Sequence, residues 1–315
     1  MLTAEEFGKT AEGEGVMLFR LTNTRGAYIE VLSYGCALRA VCVPDKNGRL
    51  TNVCLGYATL AEYESHSDRM GAIVGRTSGR IRNARFELGG VEYRLTPNVG
   101  ENQLHGGPTG FDSRVWKWRA RGDGLVFYRR SDDGEEGYPG NLEVEISYDL
   151  SDDGQLAIGY LAHSDADTYC SLTSHAYWNL GCTLEETLLR VRSDEYVEAG
   201  GDLMPTGRLL PVADTPFDFR RPAPIAAAID HSFPLDGTGL REACSLRNPE
   251  NGIALTIFTT LPSIHVYTGD SMPAPRSGVA LEAQFIPNGM NTPAFPSPLL
   301  RSGEVWDHKT VIVFE

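Results

Sequence analysis

The sequence lacks several features that define common classes of protein. No run reaches the roughly 18 apolar residues of a membrane-spanning helix, and the N-terminal segment has acids and no apolar run, so we expect no signal peptide. Positive charge is scarce, since 28 Lys and Arg face 42 Asp and Glu, a net charge of −14. Such a chain repels phosphate backbones and anionic lipids. We therefore expect a cytoplasmic protein without nucleic-acid or membrane partners.

Motifs for cofactor chemistry are missing as well. There is no glycine-rich dinucleotide or phosphate loop, no His-Glu-x-x-His and no Gly-x-Ser-x-Gly. The seven histidines include no pair two or four residues apart, which leaves a local metal site unsupported. The six cysteines are scattered without a Cys-x-x-Cys pair, which is typical of buried free thiols. We expect no metal and no organic cofactor.

Glycine and proline, in contrast, are abundant, with 34 and 18 residues, and a helix bundle does not tolerate so many helix breakers. Strand-like segments with apolar and polar residues in alternation include LLRVRS, GIALTIFTT, SIHVYTG and KTVIVFE. Three turn dipeptides that suit hairpins stand between such segments: Asn47-Gly48, Gly89-Gly90 and Asp153-Gly154.

Helical patterns are short and few. Residues 58–65 and 222–230 are each predicted to form a turn or two, and no repeat, low-complexity stretch or linker divides the chain. The sequence predicts one all-β domain over residues 1–315, a large antiparallel β-sandwich with few short helices. A barrel or propeller stays open as the alternative, because strand spacing alone does not exclude it.

Five stretches carry polar groups in settings unlike a plain scaffold. Taken singly, each fits a structural role, such as solvated arginines, loop hydrogen bonds or core aromatics, and only their combination points to a site. They are 75–86 with Arg76, Arg80 and Arg82; 102–116 with His105 before Gly106-Gly107; 171–181 with His175 beside Tyr177, Trp178 and Asn179; 278–288 with Glu282 and Gln284; and the pair Asp230-His231.

From about residue 28 to the C-terminus, these stretches resemble, in order, segments of the aldose 1-epimerases, the galactose mutarotases. One such block is weak evidence, whereas six in the same order are specific to the family. The blocks are GRTSGRI, ENQLHGG with GFDSRVW, TSHAYWNLG, IDHSF, VYTGD and ALEAQFIPNGMNTPAFPSPLLRSGE.

The resemblance implies a large antiparallel β-sandwich that interconverts the α and β anomers of a free aldose, such as galactose or glucose. By resemblance, Glu282 takes the position of the base and His175 that of the acid. The positions expected to bind or border the sugar are Arg80, His105, Asp230, His265 and Tyr177. The partner is then a monosaccharide, and the protein is a monomer or homodimer.

Two residues depart from the family's pattern at this site. Gly79 precedes Arg80 where many relatives have Asn, and His265 stands where many relatives carry Gln. Both positions border the expected sugar site. They leave the preferred aldose open rather than the reaction.

The chemistry explains why these residue types are needed. Ring opening removes a proton from the O1 hydroxyl while the ring oxygen gains one, and a carboxylate with an imidazolium does both. Glu282 must then be ionised and His175 protonated, and we expect a nearby carboxylate such as Asp230 to stabilise the charged imidazole. Arg80 and His105 as donors, with Asp230 as acceptor, suit the sugar hydroxyls.

Three other functions remain as alternatives. A hexose-phosphate epimerase needs extra basic groups, which Arg76 and Arg82 would have to supply, although their place in the family motif favours structural roles. A glycoside hydrolase would use Asp230 and Glu282 as its two carboxylates, but His175 then has no evident role. A non-catalytic carbohydrate-binding module does not need both Glu282 and His175.

Overall fold

The computed structural model describes all 315 residues, which form 28 strands and almost no helix. The one α-helix, α1, spans Leu60–Ser65, and four short 3-10 helices cover Arg82–Ala84, Phe111–Ser113, Glu135–Gly137 and Gly289–Asn291. The strands in chain order are β1 (Leu2–Lys9), β2 (Gly15–Thr22), β3 (Tyr28–Leu32), β4 (Leu38–Pro44), β5 (Leu50–Asn52), β6 (Ile73–Val74), β7 (Arg80–Ile81), β8 (Arg85–Leu88), β9 (Val91–Arg94), β10 (Gln103–Leu104), β11 (Lys117–Arg121), β12 (Gly124–Ser131), β13 (Leu142–Leu150), β14 (Gln155–Ser164), β15 (Thr168–Tyr169), β16 (Thr173–Ser174), β17 (Tyr177–Trp178), β18 (Leu188–Val191), β19 (Glu195–Ala199), β20 (Pro205–Pro211), β21 (Ala223–Pro224), β22 (Asp230–Pro234), β23 (Arg241–Arg247), β24 (Ala254–Thr259), β25 (Ser263–Tyr267), β26 (Val279–Gln284), β27 (Leu299–Leu300) and β28 (Val305–Phe314).

Three sheets carry most of the strands. The N-terminal sheet is a meander in the order β1-β2-β3-β4-β5, and a nine-stranded sheet has the order β11-β12-β13-β14-β28-β24-β23-β18-β21. A four-stranded sheet, β17-β26-β25-β22, supports the site described below, and five two-stranded ladders complete the molecule. The ladders within all three sheets are antiparallel, so the prediction of an antiparallel all-β fold is confirmed.

The inner faces of the three sheets share one apolar core of 52 buried residues. It includes Phe19 from the N-terminal sheet, Tyr148 from the nine-stranded sheet and Val266 from the four-stranded sheet. In β13, Leu142, Val144, Ile146 and Tyr148 all face inward because side chains alternate between the two faces of a strand. This shared core supports the prediction of a single domain over residues 1–315, which stays a prediction.

The predicted hairpins and cysteines agree with the structure. The pairs β4–β5, β8–β9 and β13–β14 enclose the three turn dipeptides. All six cysteines are free, and all but Cys182 are buried. None of the helices is long and apolar enough to cross a membrane.

Of the two predicted helices, one is confirmed and the other is wrong. In α1, the Glu62 carboxylate accepts hydrogen bonds from the backbone N–H and the hydroxyl of Thr59, which caps the helix. Residues 222–230 form the short strand β21, a turn and the start of β22 instead. Tertiary contacts replace helical hydrogen bonds here, since the Ile225 N–H donates to the Leu184 carbonyl oxygen and Arg276 donates to the carbonyl oxygens of Ile225 and Ala227.

Candidate functional site

A cavity of about 540 Å³ lies beside the four-stranded sheet. Side chains from β7, β22, β25 and β26 line it, together with loop residues that precede β17 and follow β10. All seven residues that the sequence predicts for the site line this one cavity: Arg80, His105, His175, Tyr177, Asp230, His265 and Glu282.

Glu282 and His175 are neighbours in the cavity wall. Glu282 belongs to β26, a strand buried along its whole length, and its Oε1 lies 3.6 Å from Nε2 of His175. Their exposed fractions are only 1% and 5%. The His175 backbone is held by hydrogen bonds with Ala72 and Gly71. Oε2 of Glu282 and Nδ1 of His175 have no hydrogen-bond partner in the protein, so both atoms can form hydrogen bonds with a ligand.

His105 is held in a fixed tautomer by the backbone. The residue has a left-handed φ of 54°, and the following Gly106 packs so closely that a Cβ there would lie 1.9 Å from the Gly75 carbonyl oxygen. The Gly79 N–H donates to Nδ1 of His105 over 3.2 Å. Burial, together with nearby Arg69, lowers the pKa of His105 well below its ordinary value. His105 is therefore neutral, with its proton on Nε2, and acts as a donor.

Asp230 and His265 form a hydrogen-bonded pair across β22 and β25. Nε2 of His265 lies 2.9 Å from Oδ1 of Asp230, and Nδ1 lies 2.9 Å from the Ser232 hydroxyl. Oδ2 of Asp230 lies 3.7 Å from the Arg80 guanidinium. Burial raises the pKa of Asp230, but the hydrogen bond and charge of His265 outweigh it, so the pKa of Asp230 lies below its usual value. Asp230 is therefore an ionised acceptor.

The structure modifies one expectation about this carboxylate. We expected Asp230 to stabilise a charged His175, yet Asp230 pairs with His265 and Arg80. The carboxylate beside His175 is Glu282 itself. The predicted base thus also serves as the nearest counter-charge of the predicted acid.

Strand alternation separates the two aromatic candidates of β17. Tyr177 faces the cavity, with its ring centroid 4.9 Å from that of His175 and its hydroxyl donating to the Asp68 carbonyl oxygen. Trp178 points the other way and packs in the main apolar core. Tyr177 is itself almost fully buried, so its main contact at the site is the packing of its ring against His175.

Gly79 lines the cavity but has no room for a side chain, whereas Arg76 and Arg82 lie outside the cavity. A side chain at Gly79 would collide with the Pro287 ring, 2.5 Å from the Cβ position. Arg76 is 2% exposed and donates to oxygens away from the cavity. The Arg82 side chain is 46% exposed and faces Asp202. Neither arginine lines the cavity.

A nitrogen each of His105 and His175 and a carboxylate oxygen of Glu282 lie within 4.8 Å of one another, a donor set of the kind that binds zinc or iron. His105 does not fit a resident ion, because the Gly79 N–H occupies the lone pair on Nδ1 and the ring proton then resides on Nε2. Neither nitrogen keeps a free lone pair. We therefore assign no metal to this cluster.

Several lining residues were not predicted from the sequence. Asp68 and Arg69 follow α1 in a loop that carries no motif, and Arg69 pairs with Asp112 over 3.7 Å. Ser232 does not line the cavity but bonds to His265, and its spacing could have revealed it, because residues two apart in a strand share a face and Asp230 was already a candidate. Gln284, already named with Glu282 among the candidate stretches, also lines the cavity, and its fully buried amide has no hydrogen-bond partner.

Comparisons with known proteins match nearly the whole chain to one family. A family model described as aldose 1-epimerase matches residues 17–313. A galactose mutarotase from Sus scrofa is 36% identical over 99% of this chain and 98% of its own length. An aldose 1-epimerase from Escherichia coli (strain K12) is 32% identical over 96% of both chains.

Solved structures show the same fold. An aldose epimerase homologue from C. elegans superposes with a TM-score of 0.90 at 30% identity, over 94% of this chain and 98% of its own. A galactose 1-epimerase from Lactobacillus acidophilus NCFM superposes with a TM-score of 0.89 at 26% identity, over 100% and 98%. The chain belongs to the aldose 1-epimerase family and is an isomerase of the mutarotase type.

Proposed function

We propose that the protein interconverts the α and β anomers of free galactose- or glucose-like aldoses, with Glu282 as the base and His175 as the acid. The observation that carries this proposal is the contact between the two side chains, 3.6 Å apart and buried in the cavity wall. The names of its relatives, galactose mutarotase and galactose 1-epimerase, support the substrate class.

The short separation suits the reaction because O1 and the ring oxygen are bonded to the same carbon, C1. Two groups that exchange protons with these oxygens must therefore lie side by side. Glu282 takes the proton from the O1 hydroxyl as the bond from C1 to the ring oxygen breaks, and His175 gives its proton to that oxygen. The open aldehyde rotates about C1–C2, and closure on its other face reverses both transfers.

The remaining polar groups suit the sugar hydroxyls. His105 presents an Nε2–H donor, Arg80 a guanidinium and Asp230 an ionised acceptor, all on the cavity wall. These groups grip the ring away from C1, so C1 is free to turn. The Tyr177 ring packs against His175 and holds the imidazole in place.

The cavity wall has no unpaired arginine and no lysine to bind a phosphorylated sugar. Asp68, Asp230, Asp270 and Glu282 line it, against two arginines that already pair with carboxylates, and Arg76 and Arg82 lie elsewhere. An anionic phosphate would lose its hydration shell beside these acids. Polarimetry in the presence of galactose 6-phosphate should show no competition with galactose.

The ionised form of the Asp230 carboxyl group disfavours glycoside hydrolysis. A glycoside hydrolase needs one carboxylic acid that stays protonated until it reaches the leaving oxygen. Although burial raises the pKa of Asp230, its hydrogen bond with His265 and the nearby Arg80 guanidinium lower the pKa overall. A chromogenic galactoside should therefore release no aglycone. A binding module would not require the buried contact between Glu282 and His175.

The test is polarimetric mutarotation of freshly dissolved α-galactose and α-glucose. We expect Glu282→Gln and His175→Asn each to lower the rate by about 10²–10⁴-fold, since acid–base catalysis contributes that much. Glu143 and His163 form a matched exposed pair, 3.2 Å apart on β13 and β14. Glu143→Gln and His163→Asn should keep the parent rate. Near-parent activity in Glu282→Gln or His175→Asn would refute the corresponding role.

The pH dependence of kcat/KM should be bell-shaped, because one group must lose a proton and the other must hold one. A flat profile between pH 5 and 9 would contradict the acid–base assignment. The cytoplasmic location and the monomeric or homodimeric state stay predictions.

A further inference from the structure

Along one wall of the cavity, basic and acidic side chains alternate. Arg80 faces Asp230 over 3.7 Å, and Asp230 bonds to His265 over 2.9 Å. His265 lies directly opposite Glu282 in the register of β25 and β26, and Glu282 contacts His175. Directly opposite residues in antiparallel strands have Cβ atoms about 4.5–5.5 Å apart. His265 thus stands between two carboxylates, one on each neighbouring strand.

Both ring nitrogens of His265 are already used within the protein. Nε2 faces Asp230, an acceptor only, so it carries a proton. Nδ1 faces the Ser232 hydroxyl, which accepts from a protonated Nδ1 or donates to a neutral one. The ring therefore has no nitrogen left for a sugar hydroxyl, and Ser232 lets it gain a proton without losing a hydrogen bond.

We propose that His265 is a positioning residue that works through its two carboxylate neighbours. As an imidazolium, it orients Asp230 for a sugar hydroxyl and favours the ionised form of Glu282. This inference rests on the proposed function, since it assigns to His265 a task in the same reaction. It also gives this chain an ionisable group where Gln, which many relatives are expected to have, would be neutral.

The surrounding charges support a cationic ring. Asp230 and His231 face it from β22, Glu282 from β26, Arg80 from β7, and His105 from the loop after β10. Burial lowers the pKa of His265, but the hydrogen bond and charge of Asp230, with the charge of Glu282, raise it above its ordinary value. His231 stays neutral, because burial lowers its pKa and its ring packs on Phe217.

Two substitutions separate the charge from the hydrogen bond. His265→Gln keeps an N–H donor for Asp230 but carries no charge, and His265→Leu removes both. In His265→Gln, we expect the acid-side midpoint of the kcat/KM profile to move about one pH unit upward, with KM nearly unchanged. In His265→Leu, KM should also rise about tenfold, because Asp230 loses a hydrogen bond to a charged group.

A control separates this effect from general damage. His308 is a half-buried histidine outside the cavity, bonded to Thr260, and desolvation lowers its pKa. His308→Gln should keep the parent pH profile. Ring nitrogen NMR on the parent should show both nitrogens of His265 protonated at pH 6, and this measurement holds even if His265→Leu fails to fold.

Each outcome is decisive. An unshifted acid limb in His265→Gln, or a singly protonated ring at pH 6, would overturn the electrostatic role, and an unchanged KM in His265→Leu would overturn the orienting role. A lower melting temperature without either kinetic change would make His265 merely structural. If Glu282→Gln is inactive while His265→Gln matches the parent, this inference fails alone. If Glu282→Gln is active, the proposed function itself fails.

Discussion

Replacement of Arg76 by Met tests whether this arginine is part of the scaffold. Its guanidinium lies inside the protein and donates to the Ser131 hydroxyl over 2.8 Å. It also donates to the carbonyl oxygens of Ser131, Asp132 and Pro139, each over 2.9 Å. These bonds connect Arg76 to the end of β12 and to the turn before β13.

The expected loss of stability follows from these four bonds. Each buried acceptor left without a donor costs about 1–3 kcal/mol. Removal of the cation recovers part of this loss, because burial already disfavours the charged form and lowers the pKa of Arg76. Because all four acceptors are neutral, no unpaired charge remains, and we expect Arg76→Met to lose about 3–5 kcal/mol in total.

The assay is urea unfolding followed by tryptophan fluorescence, with mutarotation measured on the folded variant. Arg82→Met is the matched control, because the Arg82 side chain is 46% exposed and its ion pair with Asp202 spans 3.4 Å. Its stability should stay within about 0.5 kcal/mol of the parent. Parent-like stability in Arg76→Met would refute the structural assignment. A fold that survives with a selective loss of sugar binding would place Arg76 in the site.

Three further predictions concern the scaffold of the site. Gly106→Ala should destabilise the protein by about 1–3 kcal/mol and lower kcat/KM. The φ of 86° at Gly106 is strained for alanine, and the Gly75 carbonyl oxygen occupies the space of a Cβ beside His105. Parent-like melting and kinetics would contradict this prediction. Gln103→Met should lower the free energy of unfolding by about 1–3 kcal/mol, because the Gln103 amide bonds to Thr96 and Tyr138. Gln284→Met should be neutral or stabilising, because the Gln284 amide has no partner. Equal losses in urea unfolding would contradict this contrast. Stability should fall as the pH drops below about 6.5. The reason is that histidines whose pKa is lowered in the folded protein bind protons only after unfolding, so acid favours the unfolded chain. A urea midpoint that rises on acidification would show that groups with raised pKa values dominate. The histidines concerned are His105, His231 and His308.

Local patterns predicted the strands and turns well. Alternation along β13 and β14, with Asp153-Gly154 between them, depends only on neighbouring residues and the two-residue period of a strand. The false helix at 222–230 shows the limit of such patterns. Its carbonyl groups bond to Arg276, about 50 residues further along the chain, and no local signal contains that contact.

The members of the site could be named from the sequence, but their partners could not. Asp230 was expected beside His175, and it bonds instead to His265, a residue 35 positions away on the neighbouring strand. Ser232 was missed, although it lies on the same face of the same strand. Such pairings follow from the register between β22 and β25, which the sequence of either strand alone does not specify.

The sequence by itself determined the all-β architecture and the family, and it predicted the acid–base pair, because periodicity, turn chemistry and motif blocks are all carried by short segments. Only the tertiary structure decided the contacts of Glu282 with His175, the tautomer of His105 and the ionised state of Asp230. These properties depend on distance and burial, and both arise when strands that are remote in the chain pair and exclude water.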